Sequence, residues 1–140
     1  MTEKQILHQN YLQSDTWKNK RIKVLKRDKY ICQRCEGNAT QVHHKTYKRW
    51  GKEKLDDLES ICQECHESHH RAHNVYGNKG NSEIEPRAIF GYLNDKQKDL
   101  LLSKFDIPTG DQLFYAINYS NNKQLKVMAA NMLGFNHLKY

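Results

Sequence analysis

An α+β fold is predicted for this chain of 140 residues by three features of its sequence. Apolar residues recur at helical spacing before residue 28 and again after residue 94, which indicates helices at both ends. Two Cys-x2-Cys pairs enclose a segment with a short strand pattern. We therefore expect a small module held together by its cysteines, preceded by a helix and followed by a small helical C-terminal region.

The first predicted helix covers residues 14–28. Ser14 is a residue type that favours a helix N-cap, and Trp17, Val24 and Leu25 recur on one helical face. Lysines and arginines occupy the other faces. We expect Trp17 to belong to the hydrophobic core.

A β-hairpin with a broad loop is predicted within residues 38–58, followed by a short helix over residues 65–75. Thr40 to His43 is the candidate first strand, and Asp56 to Ile61 leads back toward the second cysteine pair. The charged segment from Tyr47 to Lys54 contains Gly51 and is therefore assigned to the loop.

The remaining chain has turn composition from Tyr76 to Ser82 and helical patterns beyond it. Asn94 can cap a helix that runs to Phe105, with Gln97 in the capping-box position. Two more helices are predicted, from Asp111 to Tyr119 and from Lys123 to Leu133, the latter ending at Gly134. The expected domains are therefore residues 1–82 and residues 83–140.

The overall composition excludes several classes of protein. Hydrophobic residues make up 37% and charged residues 28% of the chain, and no run of about 18 apolar residues is present, so no membrane span is expected. The first residues lead into no apolar stretch that would form a secretory signal. We therefore expect a cytoplasmic protein whose cysteines are not disulfide-bonded.

Positive charge is concentrated in one part of the chain. Residues 17–54 hold 13 Lys and Arg against 3 Asp and Glu, whereas the whole chain has a net charge of +7. Such a block favours a polyanionic partner, with nucleic acid the first candidate. The alternative is a lysine-rich surface that is merely solvated.

The four cysteines have the spacing of a structural zinc site. Cys32 and Cys35 form one pair, Cys62 and Cys65 form the other, and 26 residues separate the pairs. Four thiolates at these spacings complete one tetrahedral shell. The alternative for such pairs in the cytosol is a redox-active dithiol.

Six of the eight histidines fall within 31 residues around the second cysteine pair. They are His43, His44, His66, His69, His70 and His73. Because four sulfur ligands satisfy a structural zinc, these imidazoles are available for other work. His66 and His70 are four residues apart and share a helical face, as do His69 and His73. The cluster predicts a second, catalytic metal site.

The order of these motifs resembles that of the HNH endonucleases of the His-Me finger (ββα-metal) superfamily. The likeness covers roughly residues 17–70 and is closest to the subgroup with His-His-x-Thr-Tyr and a closing Cys-x2-Cys-His-x3-His. The matching residues are Trp17, Arg21, Val24-Leu25, Arg27-Asp28-Lys29-Tyr30-Ile31-Cys32-Gln33-Arg34-Cys35, Val42-His43-His44-Lys45-Thr46-Tyr47, Gly51, Glu53, Asp57-Leu58, Ile61-Cys62-Gln63-Glu64-Cys65-His66 and His70. The resemblance implies a zinc-stapled ββα-metal module and hydrolysis of DNA.

The resemblance also implies roles for individual residues. His44 corresponds to the general base, and His43, His66 and His70 correspond to ligands of the catalytic metal. Asp57 stands where the family's motif has an asparagine that braces the loop carrying the base.

A single divalent metal, Mg, Mn, Ni or Zn, is the expected catalytic cofactor beside the structural zinc. It would polarise the phosphoryl group while His44 takes a proton from water. Because imidazole ligands suit Mn, Ni or Zn better than Mg, we expect a good response to manganese or nickel.

Double-stranded DNA is the expected partner, and the module alone should show weak sequence preference. Five basic residues beside the base are predicted to contact backbone phosphates: Lys45, Lys48, Arg49, Lys52 and Lys54. Tyr47 and Trp50 either stack on the nucleic acid or pack within the loop.

Two other functions remain open from the sequence. A zinc-stabilised nucleic-acid-binding module without catalysis would keep the cysteines and the basic loop. An interaction protein would instead use the apolar residues of the tail as a docking face rather than as a helical core. Those residues are Leu100, Leu101, Phe105, Leu113, Phe114, Ile117, Leu125, Met128, Met132 and Leu133.

Overall fold

The computed structural model of the chain describes residues 1–76 and 83–138 and confirms an α+β fold. This described part contains seven α-helices, one two-stranded antiparallel sheet and a two-residue parallel strand pair. None of the helices within it is long and apolar enough to cross a membrane. The predicted linker of residues 77–82 lies outside the described residues.

The chain divides into two compact units. The N-terminal unit consists of residues 1–33 and 38–62, and the C-terminal unit consists of residues 34–37 and 63–140. The helix after the second cysteine pair therefore groups with the tail helices. The domain boundary predicted near residue 82 stays a prediction.

The N-terminal unit begins with two helices, α1 (Glu3–Leu12) and α2 (Asp15–Arg27). Thr2 caps α1 through a capping box with Gln5, and the Ser14 side chain accepts a hydrogen bond from the Trp17 N–H at the start of α2. The predicted helix over residues 14–28 is confirmed. Helix α1 was not predicted, because it buries no residue and therefore lacks an apolar stripe.

Two short strands form the antiparallel sheet of this unit. Strand β1 (Gln41–His44) pairs with β2 (Leu58–Ile61), with Gln41 opposite Ile61 and His44 opposite Leu58. A 3-10 turn over Leu55–Asp57 leads into β2. The predicted hairpin is confirmed, and its first strand begins one residue later than expected.

The apolar core of the N-terminal unit is small. Trp17, Val24 and Leu58 form its buried cluster, and Tyr11 and Val42 pack against it. The predicted burial of Trp17 is confirmed. Polar side chains are buried beside this cluster, and they carry the candidate chemistry.

The C-terminal unit is built from five helices. They are α3 (Gln63–Tyr76), α4 (Pro86–Tyr92), α5 (Asp95–Lys104), α6 (Gly110–Tyr119) and α7 (Lys123–Met132). Strand β3 (Glu83–Ile84) pairs in parallel with β4 (His137–Leu138). The Asn94–Gln97 capping box of α5 is present as predicted.

Apolar side chains from these helices, from strand β3 and from the residues that follow the helices form one buried core. It contains Ala72, Ile84, Ile89, Leu93, Leu101, Leu113, Ile117, Leu125, Ala129, Ala130, Met132, Leu133 and Phe135. Leu100, Phe105 and Met128 pack against it, whereas Phe114 is 38% exposed. The tail residues considered for a docking face thus belong mainly to a helical core.

Gly134 ends the last helix with a positive φ of 88°, as its position after the predicted helix suggested. A Cβ atom at this position would lie 2.4 Å from His69 Nδ1 and 2.9 Å from His73 Nε2. Both the backbone conformation and the adjacent imidazoles therefore require glycine here.

Candidate functional site

The four cysteines cluster as a metal site requires. Cys32, Cys35, Cys62 and Cys65 are all buried, and their ligand atoms lie within 4.8 Å of one another. Tetrahedral zinc with Zn–S bonds of about 2.3 Å needs sulfur atoms about 3.8 Å apart, so this group fits the metal. Across residues 1–76 and 83–138 it is the one group of three or more Cys, His, Asp or Glu ligands this close together. The predicted structural zinc site is supported.

Local backbone and side-chain groups surround the sulfur atoms. Glu36 has a positive φ of 64° in the tight turn after Cys35, and the Gly37 N–H donates to Cys35 Sγ over 3.4 Å. The Asn94 side-chain amide reaches Cys65 Sγ over 3.5 Å. N–H groups directed at sulfur stabilise the negative charge that a zinc-binding thiolate carries.

His44 is the predicted general base, and it is held on several sides within the N-terminal unit. Strand β1 places it, and the side chain is 7% exposed. Its ring stacks on Trp17 with centroids 5.0 Å apart and on Tyr47 with centroids 4.6 Å apart. Its Nε2 atom lies 2.7 Å from Glu53 Oε2.

Glu53 connects His44 to the first two helices. The other carboxylate oxygen, Oε1, accepts a hydrogen bond from the Tyr11 hydroxyl at 2.5 Å and from Lys20 Nζ at 3.1 Å. Burial raises the pKa of this carboxyl, but hydrogen bonds from Tyr11, His44 and Lys20 outweigh it and bring the pKa down to about 2. Burial and the contact with Glu53 raise the pKa of Tyr11. At neutral pH, Glu53 is therefore an anion.

Asp57 fixes the loop that follows His44. The Arg49 guanidinium donates two hydrogen bonds to its carboxylate, and the Lys54 N–H donates a third at 3.0 Å. The Lys45 N–H donates to the Asp57 carbonyl at 2.7 Å. The hydrogen bonds from Arg49 lower the pKa of Asp57 to about 2, although burial opposes them. These contacts are of the bracing kind that the resemblance assigns to this position.

His43 has different surroundings from its neighbour in the same strand. It is opposite Glu59 in the sheet, and its Nδ1 atom lies 3.8 Å from Glu59 Oε1. Adjacent strand residues point to opposite faces, so the two histidines occupy separate environments as predicted. His43 belongs to the N-terminal unit, whereas the other predicted ligands belong to the C-terminal unit.

His66 and His70 lie together on helix α3. Their Nε2 atoms are 2.9 Å apart. Two cis ligands at about 2.1 Å from one metal ion are separated by about 3.0 Å, so this pair fits a divalent cation. Burial, followed by the charges of His70 and Arg34, lowers the pKa of His66. A lowered pKa favours the neutral imidazole, which is the form that binds metal. The three-histidine ligand set stays a prediction.

The other histidine pair of α3 has a packing role. The rings of His69 and His73 stack with centroids 3.9 Å apart, and His73 also stacks on Phe135. His73 Nε2 lies 3.0 Å from the Leu133 carbonyl. These contacts place the pair against the end of α7 within the C-terminal unit.

The basic loop presents lysines to solvent. Lys45, Lys48, Lys52 and Lys54 are exposed. Arg49 differs from them because its guanidinium is paired with Asp57, although 40% of the side chain is exposed. The exposed ammonium groups of these lysines can meet phosphates, whereas Arg49 also serves the loop's own structure.

The two aromatic residues of the loop have separate environments. Tyr47 is 58% exposed while it stacks on His44, so one aromatic ring borders the candidate base and faces solvent. Trp50 contacts Tyr11 edge-on and stacks on His8 of α1. Trp50 therefore packs within the unit, as one of the two sequence-based interpretations proposed.

Three residues of this site were given no role by the sequence: Glu53, Tyr11 and Lys20. Tyr11 is 42 residues away from Glu53 in the chain, and no local pattern predicts such a contact. The sequence did contain one indication of this site, because Glu53 is the single acidic residue in the basic loop of residues 45–54.

No protein-family model matches this chain, and no curated protein matches it. The functional argument therefore rests on the residues of the site.

Proposed function

We propose that this protein is a metal-dependent endonuclease that hydrolyses DNA phosphodiester bonds, with His44 as the general base. The observation that carries the proposal is the buried contact between His44 and Glu53, which lies beside a loop of exposed lysines. An imidazole held by a carboxylate is suited to take a proton from water near neutral pH.

The surroundings of His44 support a catalytic role. Trp17 and Tyr47 stack on its ring, so its plane is fixed before a substrate binds. General bases held in position contribute roughly 10²–10⁴-fold to a rate. A histidine that served packing alone would need no buried carboxylate anchored by a tyrosine and a lysine.

The metal requirement rests on His66 and His70 of helix α3. Their Nε2 atoms have the spacing of two ligands on one cation, and His43 stays a sequence-based candidate for a third ligand. A divalent cation bound by them would polarise the phosphoryl group and offset charge on the leaving oxygen. In their neutral form these imidazoles would hold the cation.

DNA is the proposed substrate because the loop beside His44 is basic and exposed. Lysines that contact phosphates position a duplex without reading its sequence. Tyr47 adds an exposed ring at the same place, suited to stack against a sugar or a base. Recognition of the backbone accounts for the expected weak sequence preference.

Cleavage of supercoiled plasmid by the full chain tests this proposal. Reactions contain Mg²⁺, Mn²⁺, Ni²⁺ or EDTA, and nicked and linear products are quantified over time. We expect cleavage with metal, none with EDTA, and a loss of about 10²-fold or more in His44→Ala, because the proton acceptor is gone. The control is His8→Ala, which removes an exposed histidine that stacks on Trp50.

Binding measured in EDTA separates catalysis from affinity. His44→Ala should bind a DNA duplex as the wild type does, because the lysines are unchanged. Cleavage by His44→Ala at the wild-type rate would overturn the assignment of the base. Tight DNA binding by a wild type that cleaves with none of the three metals would favour the zinc-stabilised binding module instead.

The ligand set is tested with the same assay over a range of Mn²⁺ concentrations. His66→Ala and His70→Ala should each require more Mn²⁺ for half-maximal cleavage, since each removes one imidazole. Metal dependence identical to that of the wild type in both variants would remove these two residues from the site.

A further inference from the structure

The contacts of Glu53 determine which nitrogen of His44 holds the proton. A carboxylate that is ionised can only accept hydrogen bonds. His44 Nε2 is 2.7 Å from Glu53 Oε2, so Nε2 must be the donor. In a neutral imidazole the other nitrogen then has the free lone pair. Nδ1 of His44 makes no hydrogen bond to any residue that the structure describes.

We propose that Glu53 is a positioning residue that holds His44 in the Nε2–H tautomer and leaves Nδ1 as the atom that accepts the proton from water. This inference rests on the proposed function and assigns the atom that performs it. The proton leaves a water molecule and forms a bond to Nδ1, and the resulting hydroxide attacks phosphorus. The bond from phosphorus to the leaving sugar oxygen breaks, and that oxygen takes up a proton from solvent. Glu53 stabilises the imidazolium formed in this step while remaining ionised itself.

The position of Glu53 is determined by helices α1 and α2. Tyr11 from α1 and Lys20 from α2 both donate to Oε1, which leaves Oε2 directed at His44. The Glu53 side chain is fully buried, so water does not compete for these contacts. The tyrosine and the lysine also explain why a carboxylate stays charged in a buried position. Helix α1, which has no buried residue of its own, thereby takes part in arranging the base.

Two features keep the His44 ring from flipping, which would move Nε2 away from Glu53 and Nδ1 to the other edge of the ring. Its stacking contacts with Trp17 and Tyr47 have interplanar angles of 7° and 18°. Rotation would also break the hydrogen bond to Glu53 and leave a buried carboxylate oxygen without its donor. The tautomer and the ring orientation therefore depend on the same carboxylate.

The tautomer can be measured directly by NMR. Long-range ¹H–¹⁵N correlation spectra of zinc-loaded protein with ¹⁵N-labelled histidine distinguish protonated from unprotonated ring nitrogens. We expect His44 to show protonated Nε2 and unprotonated Nδ1, with the signal assigned by its absence in His44→Ala. A wild-type spectrum with protonated Nδ1 would overturn the inference without any variant or activity measurement.

Substitutions at Glu53 connect the tautomer to the reaction. Glu53→Met removes the acceptor at similar volume, and we expect mixed tautomers and kcat lowered by roughly 10²-fold with little change in KM. Glu53→Gln keeps an oxygen acceptor, so the Nε2–H tautomer and kcat should both recover in part.

Tyr11→Phe leaves the contact between Glu53 and His44 in place and should lower kcat less than Glu53→Met. Glu3→Gln at the start of α1 is the control and should match the wild type.

The outcomes separate this inference from the proposed function. Cleavage by a folded Glu53→Met protein at the wild-type kcat would overturn the positioning role and leave the endonuclease intact. A Glu53-dependent Nε2–H tautomer in a wild type that cleaves no DNA with any metal would uphold the proton placement and overturn the proposed function. If Glu53→Met does not fold, the wild-type spectrum and the kcat of Glu53→Gln still decide the matter.

Discussion

The two compact units of this protein bury different kinds of side chain. The N-terminal unit buries His43, His44, Glu53, Asp57 and Glu59 beside a small apolar cluster. The C-terminal unit buries an apolar core drawn mainly from five helices and strand β3, and of polar side chains it buries Arg34, Ser68 and Gln97. Burying ionised groups costs free energy unless each is paired, whereas burying aliphatic groups is favourable by itself. The interior of the first unit therefore holds contacts suited to chemistry, and the interior of the second supplies stability.

Because of this difference, we expect different kinds of substitution to destabilise the two units. The N-terminal unit depends on hydrogen bonds and on zinc binding by its two cysteines, Cys32 and Cys62, because its apolar cluster is too small to hold it. The C-terminal unit depends on packing volume. Two spectroscopic signals report on the units separately. Both tryptophans, Trp17 and Trp50, belong to the N-terminal unit, so fluorescence follows that unit. Most helical residues belong to the C-terminal unit, so far-UV circular dichroism follows mainly the other.

The largest expected effect follows from removing a zinc ligand. Cys62→Ser should unfold the N-terminal unit, because structural zinc contributes an apparent binding free energy of about 10–16 kcal/mol in small domains. Tryptophan fluorescence should report that unfolding, while far-UV circular dichroism retains much of its helical signal. Mass spectrometry measures bound zinc, and Ser103→Ala on an exposed face of α5 is the control. A variant without zinc whose fluorescence melt is unchanged would contradict the dependence of the N-terminal unit on zinc.

A cavity in the aliphatic core should have the opposite signature. Leu113 is fully buried, and Leu113→Ala should lower the free energy of unfolding by about 2–5 kcal/mol. Urea denaturation followed by circular dichroism measures the change. Leu7→Ala removes a leucine that is 63% exposed and should cost little. Cleavage per folded molecule should stay at the wild-type rate in both, and a selective loss of activity in Leu113→Ala would contradict the division of labour.

Acid should weaken the N-terminal unit through Glu53. Its pKa is about 2 in the folded protein against 4.5 for the free group, despite the opposing effect of burial. A lowered pKa means that ionised Glu53 stabilises the fold above about pH 4.5 and that this contribution is lost as the pH falls toward 2. Glu53→Gln should therefore be less stable than the wild type near neutrality, and the difference should shrink with acidification.

Fluorescence melts of both proteins from about pH 7 down to about pH 2.5 provide the measurement. Zinc release at low pH affects the two proteins alike, so the difference between their curves is the quantity of interest. Glu3→Gln should give a curve parallel to that of the wild type. A constant gap between the wild type and Glu53→Gln at every pH would show that Glu53 contributes nothing through its charge.

The smallest effect concerns the surface of the N-terminal unit. Lys48→Ala with Lys52→Ala should reduce the slope of log affinity against log salt for duplex DNA by up to about 0.9 for each phosphate that is no longer neutralised. Arg49 is kept because its guanidinium holds Asp57. Lys104→Ala with Lys123→Ala, which removes equal charge from exposed sites of the C-terminal unit, is the control. Equal slopes for the two double variants would mean that the basic loop is only solvated.

The sequence predicted those features that depend on local spacing. The capping residues Ser14 and Asn94 and the paired cysteines act within a few residues, so their pattern is visible in the chain. Helix α1 and the contact between Tyr11 and Glu53 could not be predicted in the same way, because one lacks an apolar stripe and the other joins residues far apart in sequence. The pairing of Arg49 with Asp57 likewise requires the folded loop. The catalytic roles stay predictions until cleavage is measured.

The close approach of Gly134 to the ring of His69 restricts which residues can occupy these two positions together. Because a Cβ atom there would overlap the ring of His69, no other residue can enter position 134 while that ring stays in place. A relative with a residue other than glycine at position 134 should therefore also have a residue other than histidine at position 69. A collection of relatives in which glycine at 134 is kept wherever histidine occupies 69 would record this contact as covariation. Such a pair would also identify true relatives of this chain where overall identity is too low to do so.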